Sequence, residues 1–417
     1  MVAFLPSRPG RLADVPSFER GIGGAESNVV CGLAAAGHTA RWVGRVGADG
    51  FGDHLVRRIA SYGVDTEAVQ VDPVRPTGVY FRTAGDRGTD AHEVAYYRAG
   101  SAASAMSAGN VDLGAVRAGR VLHLSGITAA LSDSCLELLC ELTAPGADRP
   151  LVSFDVNHRA GLWRRADGAQ TLLWLARRCD LVFVGTDEAE SAWGVTDGPV
   201  AIRALLPEPA VLVVKDGARG ATAFERSREA GGRTAPAAGS RAAVPAPVPR
   251  VDGAVHAPGR APHARPAAML GASSGRHVDA GCVPGASSER PGHAGGVPDA
   301  PRIHPVDAAC APRPDAAPPA FVPALSVDVV AAVGAGDAFA AGFLSATLRE
   351  LPLRARLRHG HLWAAAALTA PGDLAVPPGR GHADHLAALD DAAWEKLRLG
   401  PGWTQITEGT DEEVRTP

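Results

Sequence analysis

Val333-Gly334-Ala335-Gly336-Asp337-Ala338-Phe339-Ala340-Ala341-Gly342-Phe343 is the stretch on which the reading of the fold turns. A strand-like run, Val327–Val330, enters it, and a helical pattern over about Asp337–Leu348 leaves it. Small residues at 334–336 let backbone N–H groups converge at a helix N-terminus, an anion site suited to phosphate. It is not a Walker A loop, because no Gly-Lys-Ser/Thr follows. It is not the dinucleotide fingerprint either, because Phe339 stands where the third glycine is required. The acid left over, Asp337, would repel a phosphate. Taking a proton from an attacking hydroxyl during phosphoryl transfer would give it a role. On spacing alone, an Asp that caps a helix after a glycine turn accounts for it as well.

Outward from this unit, apolar runs of strand length alternate with helical patterns. Ala40–Val46, Val121–Leu124, Leu151–Val156, Leu181–Val184, Ala210–Lys215 and Ala221–Phe224 read as strands. Phe51–Tyr62, Ser132–Thr143 with Ser132 as N-cap, and Ala169–Arg178 read as helices. Continuous apolar strands between helices predict an α/β fold with a mostly parallel sheet covered on both faces. Residues 69–97 differ. Thr77–Arg82 and Val94–Tyr97 alternate around a Gly/Asp-rich turn, which predicts an antiparallel β-flap over about 69–100.

The chain has 417 residues and a formal charge of −4. That near-neutral balance gives no footprint for nucleic acid or an anionic membrane. No run approaches the ~20 apolar residues of a membrane span. The opening Met1–Leu5 lacks a secretory pattern, and six cysteines without a CxxC pair read as reduced thiols, so a cytoplasmic protein is expected. Residues 231–320 hold 16 of the 33 prolines. No amphipathic period survives that density of breakers, so 227–322 read as one disordered Pro/Ala/Gly-rich insertion. Removing it leaves about 320 residues, the size of one α/β domain formed by 1–226 and 323–400, with 401–417 a polar tail. Five histidines scattered through the insertion lack the spacing of a metal site.

Four further clusters carry chemistry. Gly23-Gly24-Ala25-Glu26-Ser27-Asn28 precedes an Ala-rich helix. Its glycines admit a polyhydroxy ligand to Asn28, although Ser27 or Asn28 as a helix cap reads equally well. Tyr96-Tyr97-Arg98 ends the flap, and a guanidinium there suits a carboxylate. Asp155-Val156-Asn157-His158-Arg159 lies at the carboxyl end of a strand, where open α/β sheets bind ligands. Lys215-Asp216-Gly217-Ala218-Arg219-Gly220 is a tight turn between strands.

Taken with Gly44-Arg45-Val46-Gly47, Gly50-Phe51-Gly52 and His123-Leu124-Ser125-Gly126-Ile127, these segments resemble the PfkB (ribokinase-like) carbohydrate kinases. Within that family they resemble the 2-keto-3-deoxygluconate kinases. The resemblance implies a ribokinase-like three-layer sandwich with a β-flap as lid. It implies ATP-dependent phosphorylation of a sugar acid, with Mg2+ held through the phosphates and a homo-oligomer as the assembly. Asp337 matches the catalytic base, and Gly334, Ala335 and Gly336 match the anion hole. Asn157, Lys215, Gly217, Gly220 and Glu188 match the ATP side. Glu188 would organise magnesium through water, with no direct metal ligand, and Gly185 stands where the family's Asn-x-x-Glu element has Asn. Gly24, Asn28, Tyr80, Tyr96, Arg98, Arg159 and Asp373 match the substrate contacts. Two arginines in one sugar pocket would be costly to desolvate without an anion, which favours an acidic sugar. Fructose or a related keto sugar is the alternative substrate, and a catalytically weakened sugar-binding protein is the alternative role.

Three departures bear on this. The family's first strand is central, and Met1-Val2-Ala3-Phe4 reads as starting part-way into it. Ala331 stands where the family has an acid that helps hold a monovalent cation, so that cation is not carried over. The insertion falls between the ATP turn and the signature. Loop-closure entropy grows slowly enough with length to tolerate it there.

Overall fold

The computed structural model describes residues 1–8, 10–83, 93–146, 149–163, 167–226, 318–331 and 333–405. The flap turn at 84–92, the insertion through 317 and the tail from 406 lie outside the described residues. In chain order the strands are β1 (Val2–Pro6), β2 (Phe18–Ile22), β3 (Arg45–Gly47), β4 (Gln70–Asp72), β5 (Val79–Arg82), β6 (Val94–Tyr97) and β7 (Val121–Ser125). They continue as β8 (Leu151–Asp155), β9 (Leu181–Gly185), β10 (Val211–Lys215), β11 (Gly220–Glu225), β12 (Ala320–Pro323), β13 (Ser326–Val327) and β14 (Arg398–Leu399). The helices that matter here are α1 (Ala25–Ala35), α2 (Gly50–Ala60), α3 (Asp133–Leu142), α4 (Gly168–Arg177), α5 (Thr186–Trp193), α6 (Ala335–Leu348) and α7 (Leu353–Leu368).

Six strands form the main sheet in the order β12-β11-β10-β9-β8-β7. β7 to β10 run parallel, and β11 and β12 close one edge antiparallel. The continuous apolar runs are the reason: each strand supplies side chains to both faces. Along β9, Leu181 and Phe183 pack with Phe339, Phe343 and Leu362 of α6 and α7. The alternate Val182 and Val184 pack with Leu139 of α3 and Leu172 of α4. Helix–sheet–helix is thus the three-layer arrangement the resemblance implies. Ser132 caps α3 as expected, its Oγ accepting from the Cys135 N–H at 3.1 Å. Asp49 caps α2 by accepting from the N–H groups of Phe51 and Gly52, which starts that helix at Gly50.

The lid departs from the expectation of a flap confined to 69–100. It is a four-stranded sheet, β2-β1-β5-β6, in which β1 pairs parallel with β5 and antiparallel with β2. The first strand is therefore part of the lid and not a piece of the main sheet. Val2 and Phe4 share one face of this strand: Val2 is buried in a cluster with α1 and α2, and Phe4 packs against that cluster and stacks on Phe81 at 4.6 Å. β4 leaves the flap altogether and pairs with β3.

Three boundaries also move. Residues 320–322, given above to the insertion, belong to β12, which pairs with β11. Val327–Val330 is strand only at Ser326–Val327, paired with β14, and Val329 and Val330 are exposed. The folded domain reaches past 400 at least to Trp403, which buries its ring and donates its Nε1–H to Thr369 Oγ1 at 3.2 Å. Among the described residues no helix is long and apolar enough to cross a membrane.

Candidate active site

A cavity of about 1910 Å³ lies between the lid sheet and the carboxyl ends of β8, β9 and β10. It continues along the free edge of β7 to residues 39–45. Its floor is the turn into α6. Gly334 has φ +81, and a Cβ there would overlap the backbone carbonyl of Asp373, so glycine is required on two counts. That turn puts Ala335, Gly336 and Asp337 in the first turn of α6, with the helix N-terminus toward the cavity.

Asp337 accepts a hydrogen bond on Oδ2 from Asn28 Nδ2 of α1, at 2.8 Å. Two residues 309 positions apart in sequence thus meet at the cavity wall. Enclosure pushes the Asp337 carboxyl up to about 7; the Asn28 bond and Lys215 oppose the rise, and Asp155 and Glu26 add to it. The bland reading of Asp337 as a helix cap does not hold: Gly334 is the N-cap, and it makes no side-chain bond.

The residues expected on the nucleotide side come from three adjacent strand ends. Lys215 Nζ contacts both carboxylate oxygens of Asp155, at 3.2 and 3.1 Å. Burial works against its charge, but Asp155 and then Glu188 outweigh that, so its pKa is raised. Glu188 Oε2 accepts from the Gly185 N–H at 2.9 Å, and Oε1 lies 3.4 Å from Arg159 Nη1. Burial pushes the Glu188 carboxyl up, against the pull of Lys215. Asn157 sits at φ 41 and leaves Oδ1 buried with no partner among the described residues. Gly217 and Gly220 do not line the cavity. They shape the turn between β10 and β11.

The residues expected to contact the substrate come mainly from the lid and α1. Arg98 stacks its guanidinium 4.6 Å from the Tyr96 ring centre, and Tyr96 leans on Tyr80 at 5.7 Å. Burial holds the Arg98 pKa below its ordinary value. Gly24 and Asn28 line the same cavity, and Asn28 Oδ1 is a second buried acceptor without a partner among the described residues. Tyr80 and Asp373 are engaged with each other. The Tyr80 hydroxyl donates to Asp373 Oδ2, while Arg82 Nη2 lies 3.0 Å from Asp373 Oδ1. Gly23 has no room for a Cβ between Tyr80 and Asp373. Arg159 is half exposed and already partnered by Glu188, so the two arginines are not equivalent.

Sequence reasoning passed over four residues that the structure brings to this cavity: Glu26, Arg82, His123 and Asp155. Glu26 is held by Thr128 Oγ1 at 2.5 Å, and burial raises its carboxyl pKa. Asp155 was legible as the acid that ends an apolar strand. Arg82 was not, because its partner Asp373 is 291 residues away in sequence. Among the described residues no group of three or more His, Cys, Asp or Glu could hold a metal ion.

The model of the pfkB family of carbohydrate kinases matches residues 2–241 and 319–378. The 2-dehydro-3-deoxygluconokinase of Thermoproteus tenax is 33% identical over 219 residues, 52% of this chain and 66% of that protein. Fructokinase-2 of Zea mays is 30% identical over 231 residues, 54% of this chain and 68% of its own. The match thus spans just under two thirds of the Thermoproteus relative. Among solved structures, the PfkB protein from Polaromonas sp. superposes with a TM-score of 0.62 at 25% identity, covering 92% of this chain and 96% of that one. An uncharacterized sugar kinase from Pyrococcus horikoshii in complex with ATP gives 0.62 at 17% identity, over 94% and 96%, a likeness of fold. With its signature turn, its three-layer sheet and a family match over more than half its length, the chain belongs to the pfkB family of carbohydrate kinases.

Proposed function

We propose that the protein transfers the terminal phosphoryl group of ATP to a hydroxyl of a sugar acid, with 2-keto-3-deoxygluconate as substrate. The observation that carries this reading is the Asp337 carboxyl. It is pushed up to about 7, aimed by Asn28, and placed in the first turn of α6 beside the glycine cradle. A group titrating near neutrality suits a base that must accept a hydroxyl proton and release it again. The buried, partnerless Oδ1 atoms of Asn28 and Asn157 suit donors from a polyhydroxy ligand. The α6 cradle and the Lys215 ammonium suit phosphate oxygens. Magnesium, bound with the nucleotide, neutralises phosphate charge, and Glu188 is the carboxylate available to orient it through water. Around it, Asn28 fixes the Asp337 oxygen that takes the proton, and the N–H groups of residues 335–337 face the charge that develops on transfer. The lid strands β5 and β6 carry Tyr80, Tyr96 and Arg98 over the sugar and exclude water, which protects ATP from hydrolysis.

Asp337→Ala is expected to lose at least about a hundredfold in kcat with the fold intact, the lower end of general-base assistance. A variant keeping more than about a hundredth of wild-type turnover removes Asp337 as the base. The substrate assignment rests on Arg98, since Arg159 is already neutralised by Glu188. The second reading is a neutral sugar such as fructose, favoured by the likeness to the maize fructokinase. On a panel of sugars with coupled ADP detection, Arg98→Ala should raise KM for the sugar acid and leave fructose turnover unchanged. Equal effects on both sugars favour the neutral substrate.

A further inference from the structure

β8 and β10 flank β9 and end on opposite charges. Asp155 stands opposite Phe183, and Lys215 stands opposite Gly185, two residues further along. The lysine stem spans that offset, so its ammonium meets both oxygens of the Asp155 carboxylate, at 3.2 and 3.1 Å. The pair is largely enclosed: 3% of the Asp155 side chain and 19% of the Lys215 side chain is exposed. A buried ion pair at this position stabilises a fold no better than two apolar side chains would. Its place in the cavity suggests another purpose. A Cβ built on Gly336 would lie 3.6 Å from Lys215 Nζ, so only the missing side chain separates the ammonium from the cradle of α6. Two further carboxylates, Glu188 and Asp337, act on the same ammonium. Of the three acids, Asp155 is the one that makes direct contact with it.

We infer that Asp155 is a positioning residue that pins the Lys215 ammonium beneath the Gly334–Gly336 turn, where it receives the terminal phosphate of a nucleoside triphosphate. This rests on the phosphoryl-transfer reading and gives Asp155 a role in it. A lysine side chain has four rotatable bonds, and Glu188 offers it a competing partner. The two-oxygen contact with Asp155 removes that choice before the nucleotide arrives, so the cation needs no reorganisation on binding.

The test measures calorimetric binding of magnesium-ADP and of the magnesium complex of the β,γ-imido analogue of ATP to the full chain. The quantity read is the preference for triphosphate over diphosphate. Lys215→Met should lose that preference. Asp155→Asn should reduce it about tenfold or more, the size of a charge-assisted hydrogen bond, with ADP affinity unchanged. In the Lys215→Met background, Asp155→Asn should add nothing, because its effect runs through the lysine. If the two effects add, or if Asp155→Asn keeps the wild-type preference, the inference falls while the kinase reading stands. If the wild type binds neither nucleotide, both fall. If Asp155→Asn is too unstable to purify, Asp155→Glu takes its place, its carboxylate one methylene further out. A reduced triphosphate preference with ADP affinity intact supports the inference, and an unchanged preference overturns it.

Discussion

The two walls of the cavity are held by different forces. The wall of β8, β9 and β10 stands on strands buried on both faces, with β9 enclosed from end to end. The lid wall is one sheet with an open face, and its Tyr96 and Tyr97 are 50% and 66% exposed. Its strands β1, β2 and β5 share only a small cluster with α1 and α2, around Val2, Ile22, Leu55 and Ile59, and aromatic pairs, Phe4 on Phe81 and Phe81 against Tyr97, join the rest. Groups that must keep a fixed distance to one another, Asp155, Lys215 and Glu188, sit on the rigid wall. The groups proposed to contact the sugar, Tyr80, Tyr96 and Arg98, sit on the loosely held one. Local stability is lower where burial is lower, and elements that move are drawn from that end.

Paired truncations test this contrast most strongly. Phe183 is fully buried and packs edge-on against Phe343 at 5.4 Å, so Phe183→Ala should cost about 3–5 kcal/mol of unfolding free energy. Phe81, half-buried on the lid, should cost about 1 kcal/mol as Ala, the scale of a cross-strand pair. Denaturant titration reads both. Similar losses would mean that the lid is as firmly built as the sheet.

The same contrast explains what the sequence made legible. Parallel strands buried on both faces announce themselves as runs, so Leu151–Asp155, Leu181–Gly185 and Val211–Lys215 were placed to within a residue or so. The signature turn was legible through the resemblance, because on spacing alone a glycine turn followed by a capping acid reads the same. The lid was half legible. The β5–β6 hairpin follows from local alternation, but β1 pairs with β5 across more than 70 residues, and no local pattern encodes that choice. Arg82 and Asp373 were missed as a pair for the same reason. Pro-rich composition marked the insertion, but could not tell that 320–322 would be captured as an edge strand by β11.

A second prediction targets the joint between the walls. Asp373 holds Tyr80 and Arg82 of the lid strand β5, and the Arg82 side chain is 7% exposed with its Nε unpartnered. Asp373→Asn leaves that guanidinium buried without its counter-charge, a loss of about 3 kcal/mol if the joint is as tight as it is buried. Arg82→Met with Asp373→Asn removes both charges and should recover most of it. Thermal unfolding of the single and double variants separates these outcomes. A single variant as stable as wild type would show that the lid is not fastened there.

The smallest expected effect concerns the rigid wall itself. Asp337 has its pKa raised in the folded protein to about 7, mainly by burial, from the ordinary 3.8. A group with a raised folded pKa contributes its stability fully below the unfolded value and loses it as pH rises through the folded one. Ionised Asp337 therefore destabilises the fold above pH 7. Asp337→Asn keeps an oxygen to accept the Asn28 bond and removes the charge. The variant should be inactive yet more stable than wild type at pH 8, by about 1–3 kcal/mol, the lower figure applying where cavity water screens the carboxylate. At pH 5 the gap should shrink to less than half, since wild-type Asp337 is then protonated in the fold. Urea midpoints of the two proteins at both pH values measure it. A gap that does not change with pH would mean that Asp337 titrates like an exposed acid, and that the turn into α6 stores no strain at the proposed base.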